Sequence, residues 1–133
     1  MKKLAMLAML IGVVACGRAG PTEASLGEEF TLRAGESATV GPDSLSVTFT
    51  KVTADSRCPT NVVCVWAGDA GVLLLLTGLG DTQPLELHTA AQVGPNRGSF
   101  HGYTVQLLEV SPAARAGQPI PPDDYSVTLR VTH

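Results

Sequence analysis

The sequence has little of what most large functional classes require. Of its 133 residues only 16% are charged and 5% are aromatic, and lysine and arginine form no cluster. A nucleic-acid partner is not expected, because phosphate binding needs a basic face. The longest apolar run is also too short for a spanning helix, which needs about 20 apolar residues.

Motifs of known catalytic chemistry are missing as well. The sequence contains no nucleophile elbow, no zinc-protease motif, no P-loop and no dinucleotide-binding turn. Its three histidines, His88, His101 and His133, are scattered rather than paired at the spacing of metal ligands. We therefore predict that the protein is not an enzyme and has no metal and no cofactor.

What the chain does contain is enough apolar sequence for one folded domain. Apolar residues make up 44% of it, and its length suits a single domain. The formal charge is −3, and without Lys2 and Lys3 it becomes −5, because seven basic side chains then face twelve acidic ones. This mild acidity favours solubility rather than a polyanionic partner.

The first fifteen residues have the order of an export signal. Lys2 and Lys3 form a positive start, and the eleven residues from Leu4 to Val14 form an apolar stretch. A short basic segment followed by 7–15 apolar residues is typical of a secretory signal peptide. We predict export, with residues 1–15 removed.

The end of this segment, Val13-Val14-Ala15-Cys16, resembles the lipobox of bacterial lipoproteins. The resemblance implies that Cys16 is lipidated and becomes the first mature residue, anchoring the protein durably to a membrane through two or three acyl chains. An ordinary signal peptide with an accidental cysteine is the alternative. Gly17 follows the cysteine. In Gram-negative lipoproteins an aspartate at this position commonly causes retention in the inner membrane. Its absence here favours attachment to the outer membrane, facing the periplasm, if the cell is Gram-negative.

Beyond the signal we predict two segments. Residues 16–27, rich in small and polar side chains, are expected to be a flexible tether after the lipidated cysteine. Residues 28–133 are expected to form the folded domain. Its apolar residues alternate with polar ones over several short runs separated by turn residues, which predicts an all-β, small antiparallel β-sandwich, Ig-like or related, of about seven or eight strands.

The predicted strands have inward-facing positions of period two. These are Phe30 and Leu32; Ala38 and Val40; Leu45, Val47 and Phe49; Tyr103, Val105 and Leu107; and Tyr125, Val127, Leu129 and Val131. The run Val72–Leu76 between two glycines predicts a buried central strand, and a short strand is expected at Leu85–His88. The proline-rich stretch Ser111–Asp124 is either a functional loop or a crossing between sheets with Ile120 tucked beneath it.

Two cysteines remain once Cys16 is assigned to lipid. Cys58 and Cys64 are six residues apart in an oxidising compartment, which predicts a disulfide that closes a small loop. A loop this short is stabilised by roughly 2–2.5 kcal/mol in the chain-entropy model. Metal binding, free thiols and redox chemistry are the alternatives.

The same region resembles a motif of small secreted bacterial proteins and lipoproteins without an assigned activity. The matching segments are Asp55-Ser56-Arg57-Cys58-Pro59 followed by Cys64-Val65-Trp66-Ala67-Gly68, and Ile120-Pro121 with the final strand Asp124–Val131. The resemblance implies the fold and the disulfide but no chemistry. Tyr125 also resembles the tyrosine of a tyrosine corner, whose hydroxyl bonds to the backbone.

Two interpretations of Trp66 follow. In the first, its indole packs against the disulfide inside the sandwich, because it lies two residues beyond Cys64 on the same face of a regular strand. In the second, Trp66 and Arg57 form an exposed recognition patch, since tryptophan and arginine are enriched in interface hot spots. We expect the first.

Three functional hypotheses remain. The first is a monomeric, lipid-anchored envelope protein without catalysis, binding an envelope partner or serving a structural role, with an unknown ligand. The second is an inhibitor-like module that presents the Cys58–Cys64 loop to an enzyme. The third is a small hydrolase or metal-dependent enzyme, which requires His88 or His101 to meet carboxylates in a cleft.

Overall fold

The computed structural model describes residues 22–133, so the predicted signal peptide, Cys16 and the first part of the tether lie outside the described residues. Within this range there are nine strands, one 3₁₀ turn at Pro122–Asp124 and no α-helix. The search for a helix long and apolar enough to span a bilayer found none in residues 22–133. The strands are β1 (Thr22–Ala24), β2 (Glu29–Arg33), β3 (Ser37–Val40), β4 (Leu45–Asp55), β5 (Ala70–Gly78), β6 (Asp81–His88), β7 (Arg97–Phe100), β8 (Tyr103–Ser111) and β9 (Ser126–Thr132).

These strands form two sheets, which confirms the predicted all-β sandwich. One sheet has five strands in the order β1-β3-β4-β5-β6, and the other has four in the order β2-β9-β8-β7. Neighbouring strands are antiparallel except for β1 and β3, which run parallel. The count exceeds the predicted seven or eight because β1 and β7 are short and lack an alternating apolar pattern.

The core lies between the sheets and consists of the alternating positions that the sequence predicts. Leu45, Val47 and Phe49 of β4 and Val127, Leu129 and Val131 of β9 are at most 1% exposed, while the residues between them are partly exposed. This is the physical result of the period of two, since successive side chains of a strand point to opposite faces. The buried predicted positions are Phe30, Leu32, Ala38, Val40, Leu45, Val47, Phe49, Tyr103, Val105, Leu107, Tyr125, Val127, Leu129 and Val131.

The leucine-rich strand β5 is central in its sheet but covered on one face only. Val72, Leu74 and Leu76 are buried, whereas Leu75 is 38% exposed and Leu73 is half-buried. The expectation of a strand buried throughout is therefore corrected. An antiparallel sheet needs the second sheet on one face only, and the other face can meet solvent.

The predicted boundary between tether and domain also shifts. Residues 22–27 were expected in the flexible tether, yet Thr22–Ala24 forms β1 and pairs with β3 from Ala38 to Val40. Leu26 packs on the core, and the Gly27 amide donates to the Val131 carbonyl at 2.8 Å. The domain thus includes residues from Thr22 onward, because an edge strand can be held by backbone pairing without an apolar pattern of its own.

The two ends of the sandwich are built differently. At one end, here called the loop end, lie the connection 56–69 between β4 and β5 and the connection 112–125 between β8 and β9. At the opposite end, here called the turn end, the chain reverses in tight turns around residues 41–44, 79–80 and 101–102. The loop end is therefore the place to look for a functional site.

Candidate functional site

The connection 56–69 is the centre of the candidate site. It contains the predicted disulfide, which is confirmed: Cys58 and Cys64 are bonded, with their Cα atoms 5.9 Å apart. Hence neither cysteine is a free thiol in this structure. The cross-link closes a loop whose ends are already set by the β4–β5 pair.

The base of this loop continues the ladder between β4 and β5. The Ser56 amide donates to the Asp69 carbonyl at 2.7 Å, and the Cys58 amide donates to the Ala67 carbonyl at 2.8 Å. Gly68 makes this approach possible, because a Cβ there would lie 1.9 Å from the Ser56 carbonyl oxygen and its φ is +74°. Only glycine fits both the conformation and the space.

Arg57 ties the loop base to the second sheet. Its Nε and one Nη donate to the two carboxylate oxygens of Asp55, both at 2.8 Å. The same guanidinium donates to the Val110 carbonyl at 2.8 Å and to the Pro112 carbonyl at 2.9 Å. Tyr125 completes the group, donating its hydroxyl to Asp55 at 2.8 Å. We call Asp55, Arg57 and Tyr125 the Arg57 clamp.

The charges of the clamp stabilise one another. The hydrogen bonds from Arg57 hold the pKa of Asp55 below its usual value, although burial opposes the shift, and the Tyr125 hydroxyl adds to it. Asp55 in turn raises the pKa of Arg57. Burial, followed by the hydrogen bond to Asp55, raises the pKa of Tyr125 to about 12. Near neutral pH the clamp is therefore an ion pair with a neutral phenol.

The proline-rich connection packs directly against the disulfide loop. The Thr60 amide donates to the Ala114 carbonyl at 2.9 Å, and the Ala116 amide donates to the Asn61 side-chain carbonyl at 2.9 Å. Ile120 packs on the core from beneath, as the crossing interpretation of this stretch predicts. The two connections thus brace each other as one unit.

A groove of about 520 Å³ lies between these connections. Its walls come from the clamp, from Pro59 and from the segment Ala114–Ile120. The clamp side chains that face it already bond to one another and to backbone carbonyls. Outside the clamp, the polar side chains that line the groove are those of Arg115 and Gln118.

The far side of the disulfide loop carries exposed apolar side chains. Val63 and Val65 have relative exposures of 102% and 105%, Trp66 is 49% exposed and Val62 is 44% exposed. We call these four residues the apolar tip. No charged residue occurs between Pro59 and Gly68. Apolar side chains normally stabilise the folded state by being buried. A restrained loop that keeps four of them exposed to water is therefore unusual.

The expected packing of Trp66 inside the sandwich is wrong. The side chain lies outside the core because strand β5 does not begin until Ala70, so residues 64–66 do not follow the alternation of a regular strand. The alternative patch of Trp66 with Arg57 is also not formed as a unit. Arg57 has a side-chain exposure of only 14% and points into the clamp.

The histidines do not meet at the loop-end groove. His88 bonds through Nδ1 to Asp69 at 2.7 Å and lies 3.3 Å through Nε2 from Glu86. His101 bonds to Asp81 at 2.9 Å, and its side chain is 42% exposed.

Asp69 and His88 form a local polar support. Burial opposes the ionisation of Asp69, but hydrogen bonds from His88 and from the Ala90 and Thr89 groups lower its pKa. The His88 ring also fills the space over Gly94, where a Cβ would lie 2.3 Å from it. Among residues 22–133 no group of three or more histidine, cysteine and acidic side chains is arranged to hold a metal ion. The hydrolase hypothesis stays a prediction, and the groove residues give it no histidine.

Sequence reasoning singled out the disulfide and Trp66 but missed the clamp. Asp55 and Tyr125 lie 70 residues apart, and only the fold brings them together. A tyrosine corner requires the hydroxyl to bond to the backbone. The Tyr125 hydroxyl bonds to the Asp55 carboxylate instead. An available signal was the spacing of Asp55 and Arg57, an acidic and a basic residue two positions apart beside the predicted disulfide loop.

Comparisons with known proteins add no name to this site. No protein-family model, no curated protein and no solved structure matches the chain. Functional inference therefore depends on the geometry just described.

Proposed function

We propose that this is an exported, lipid-anchored envelope protein whose sandwich is a non-catalytic binding domain, and that the apolar tip is its contact surface. The lipobox at Cys16 supports the anchor, and the tip supports the binding role. The single observation that carries the proposal is the exposure of Val63 and Val65 on a loop fixed by a disulfide and the Arg57 clamp.

The energetic argument is one of pre-organisation. A loop that is ordered before contact loses less conformational entropy on binding, so more of the contact free energy remains as affinity. The disulfide, the clamp and the hydrogen bonds to Ala114 and from Ala116 restrain the loop from three directions. Connecting two antiparallel strands does not require this restraint, because β5 and β6 are joined by the two residues Leu79 and Gly80 alone.

A photo-crosslinking amino acid tests the contact surface in living cells. It is placed at position 63 in place of Val63 and, as the control, at position 79 in place of Leu79, which is 49% exposed at the turn end. We expect crosslinked products from position 63 and few from position 79. Equal yields of crosslinked product from the two positions would contradict the proposal that the tip is the contact surface. Mass spectrometry of the native protein tests the anchor separately, since loss of residues 1–15 and an acylated Cys16 are expected.

An inhibitor-like role is the second candidate, because the loop is both braced and exposed, as that hypothesis requires. This role predicts that the crosslinked product from position 63 contains one enzyme. The purified protein should lower the activity of that enzyme, and the variant Val63→Asp should not. A product that contains no enzyme excludes this role.

A further inference from the structure

We propose that the apolar tip inserts into the interface of the bilayer that holds the Cys16 anchor, so that the protein touches its membrane at two places. This inference rests on the proposed function and names the partner of the tip. It depends on where the chain enters the sandwich, how far the anchor can lie from it, and what the tip is made of.

The direction of β1 places the chain entry on the loop-end side. β1 runs parallel to β3, and β3 runs antiparallel to β4, which ends at Asp55 immediately before the disulfide loop. The amino-terminal residue of β1, Thr22, is thus the one nearer the loop end.

The distance between anchor and domain is limited by covalent geometry. Six residue steps separate Cys16 from Thr22, and a fully extended chain of this length spans about 20 Å. Thr22 is level with Ala38 and therefore with Val47 of β4. Val47 pairs with Leu76 and Asp55 pairs with Ala70, which is six residue steps along β5, so this bulged stretch of β4 advances about 20 Å and the disulfide loop continues beyond it. The loop end extends at least as far as the anchored chain can reach, so a bilayer on this side meets the tip.

The chemistry of the tip fits a lipid interface. Val63 and Val65 project singly, and a fluid bilayer accepts such side chains without a complementary pocket. Tryptophan is enriched at the level of the lipid headgroups, where its ring is partly apolar and its N–H can meet water. No charge between Pro59 and Gly68 opposes insertion. Insertion is shallow, because irregular backbone is not tolerated in the hydrocarbon centre.

A protein partner is less well matched to this surface. Protein interfaces concentrate binding in a packed centre rich in tryptophan, tyrosine and arginine with a polar rim. Here Arg57 is turned inward and bonded, and three of the four tip residues are valines. The bilayer is therefore the occupant to test first.

Trp66 is the only tryptophan of the chain, so its fluorescence reports on the tip without a label. The experiment uses the mature, lipidated protein in phosphatidylcholine vesicles whose acyl chains carry bromine either near the headgroup or near the bilayer centre. We expect blue-shifted emission that the shallow bromines quench more than the deep ones. Val63→Asp should reduce this quenching at least twofold, whereas Leu79→Asp, an exposed substitution at the turn end, should leave it unchanged.

Vesicle flotation separates the possible failures. Protein that floats with the vesicles while Trp66 keeps a water-like, unquenched emission retains the anchor and overturns the bilayer contact. Protein that does not float overturns the anchor at Cys16, on which this inference rests. Shielding of Trp66 from acrylamide in native envelopes but not in protein-free vesicles assigns the tip to a protein partner and also overturns the inference.

Discussion

The loop end and the turn end of this sandwich solve the same problem of chain reversal with very different amounts of structure. At the turn end, β5 and β6 are joined by Leu79 and Gly80 alone, with φ values of +51° and +77°. At the loop end, β4 and β5 are joined through residues 56–69, held by a disulfide and a clamp to the second sheet.

This difference indicates which end has a task beyond connectivity. Tight turns need only residues that tolerate a positive φ. The loop end contains, in addition, the partly buried ion pair of Asp55 and Arg57, whose desolvation is costly unless its partners are all in place. Such an arrangement is expected if the apolar tip must be held in one position to bind its partner.

The largest effect is expected from Gly68→Ala. A Cβ at this position meets the Ser56 carbonyl at 1.9 Å with φ at +74°, so the change should cost about 3–5 kcal/mol, from the positive φ and the backbone displacement together. Gly80→Ala at the turn end is the matched control, since its φ is +77° and nothing lies within 4 Å; it should cost about 1–2 kcal/mol. Urea denaturation measures both. Equal losses would show that the tight loop base is not a special constraint.

A smaller loss is expected from Arg57→Met, which keeps much of the apolar stem but removes the guanidinium. Asp55 and the carbonyls of Val110 and Pro112 then lose their donor, which should lower the free energy of unfolding by about 2–3 kcal/mol. The control is Glu29→Gln, which breaks the exposed pair with Arg130 and should cost about 0–1 kcal/mol. If the two losses are alike, the clamp is no more than a surface ion pair.

The sequence predicts the part of the molecule that obeys a local period. Strand β9 and the residue before it illustrate this: Tyr125, Val127, Leu129 and Val131 alternate with polar residues, and all four are buried. Strand β1 has no such pattern: only Ala24 of its Thr-Glu-Ala segment packs on the core, and the segment pairs with β3 at the sheet edge. Local patterns thus identify strands that bury an alternating face, and not strands held mainly by backbone pairing.

At the candidate site the same limitation appears twice. The disulfide is predicted because two cysteines close in sequence leave few alternatives, whereas the clamp needs a contact over 70 residues that no spacing rule describes. Trp66 is misplaced in the prediction because alternation is applied to a segment that is not a strand. Of the restraints on the loop, the sequence therefore predicts the disulfide, and the fold alone reveals the clamp.

The smallest effect expected is on acid stability, where the two ends again provide a matched pair. Hydrogen bonds from Arg57 lower the pKa of Asp55 at the loop end, and a hydrogen bond from His101 lowers that of the exposed Asp81 at the turn end. A carboxyl with a lowered folded-state pKa stabilises the fold above its unfolded value, near 3.8, and loses this contribution as pH falls through the lower folded value. The stability advantage of the wild type over Asp55→Asn should therefore shrink below about pH 4, by less than about 1.4 kcal/mol per pH unit.

High salt should separate the two ends. In about 1 M salt the Debye length is about 3 Å, and exposed charges are screened. The pH dependence of the stability difference should therefore persist for Asp55→Asn, because Asp55 is bonded within the clamp, and vanish for Asp81→Asn. Urea unfolding across this pH range at low and high salt measures it, and a salt-sensitive Asp55 would mean that the clamp opens to solvent as readily as the turn end does.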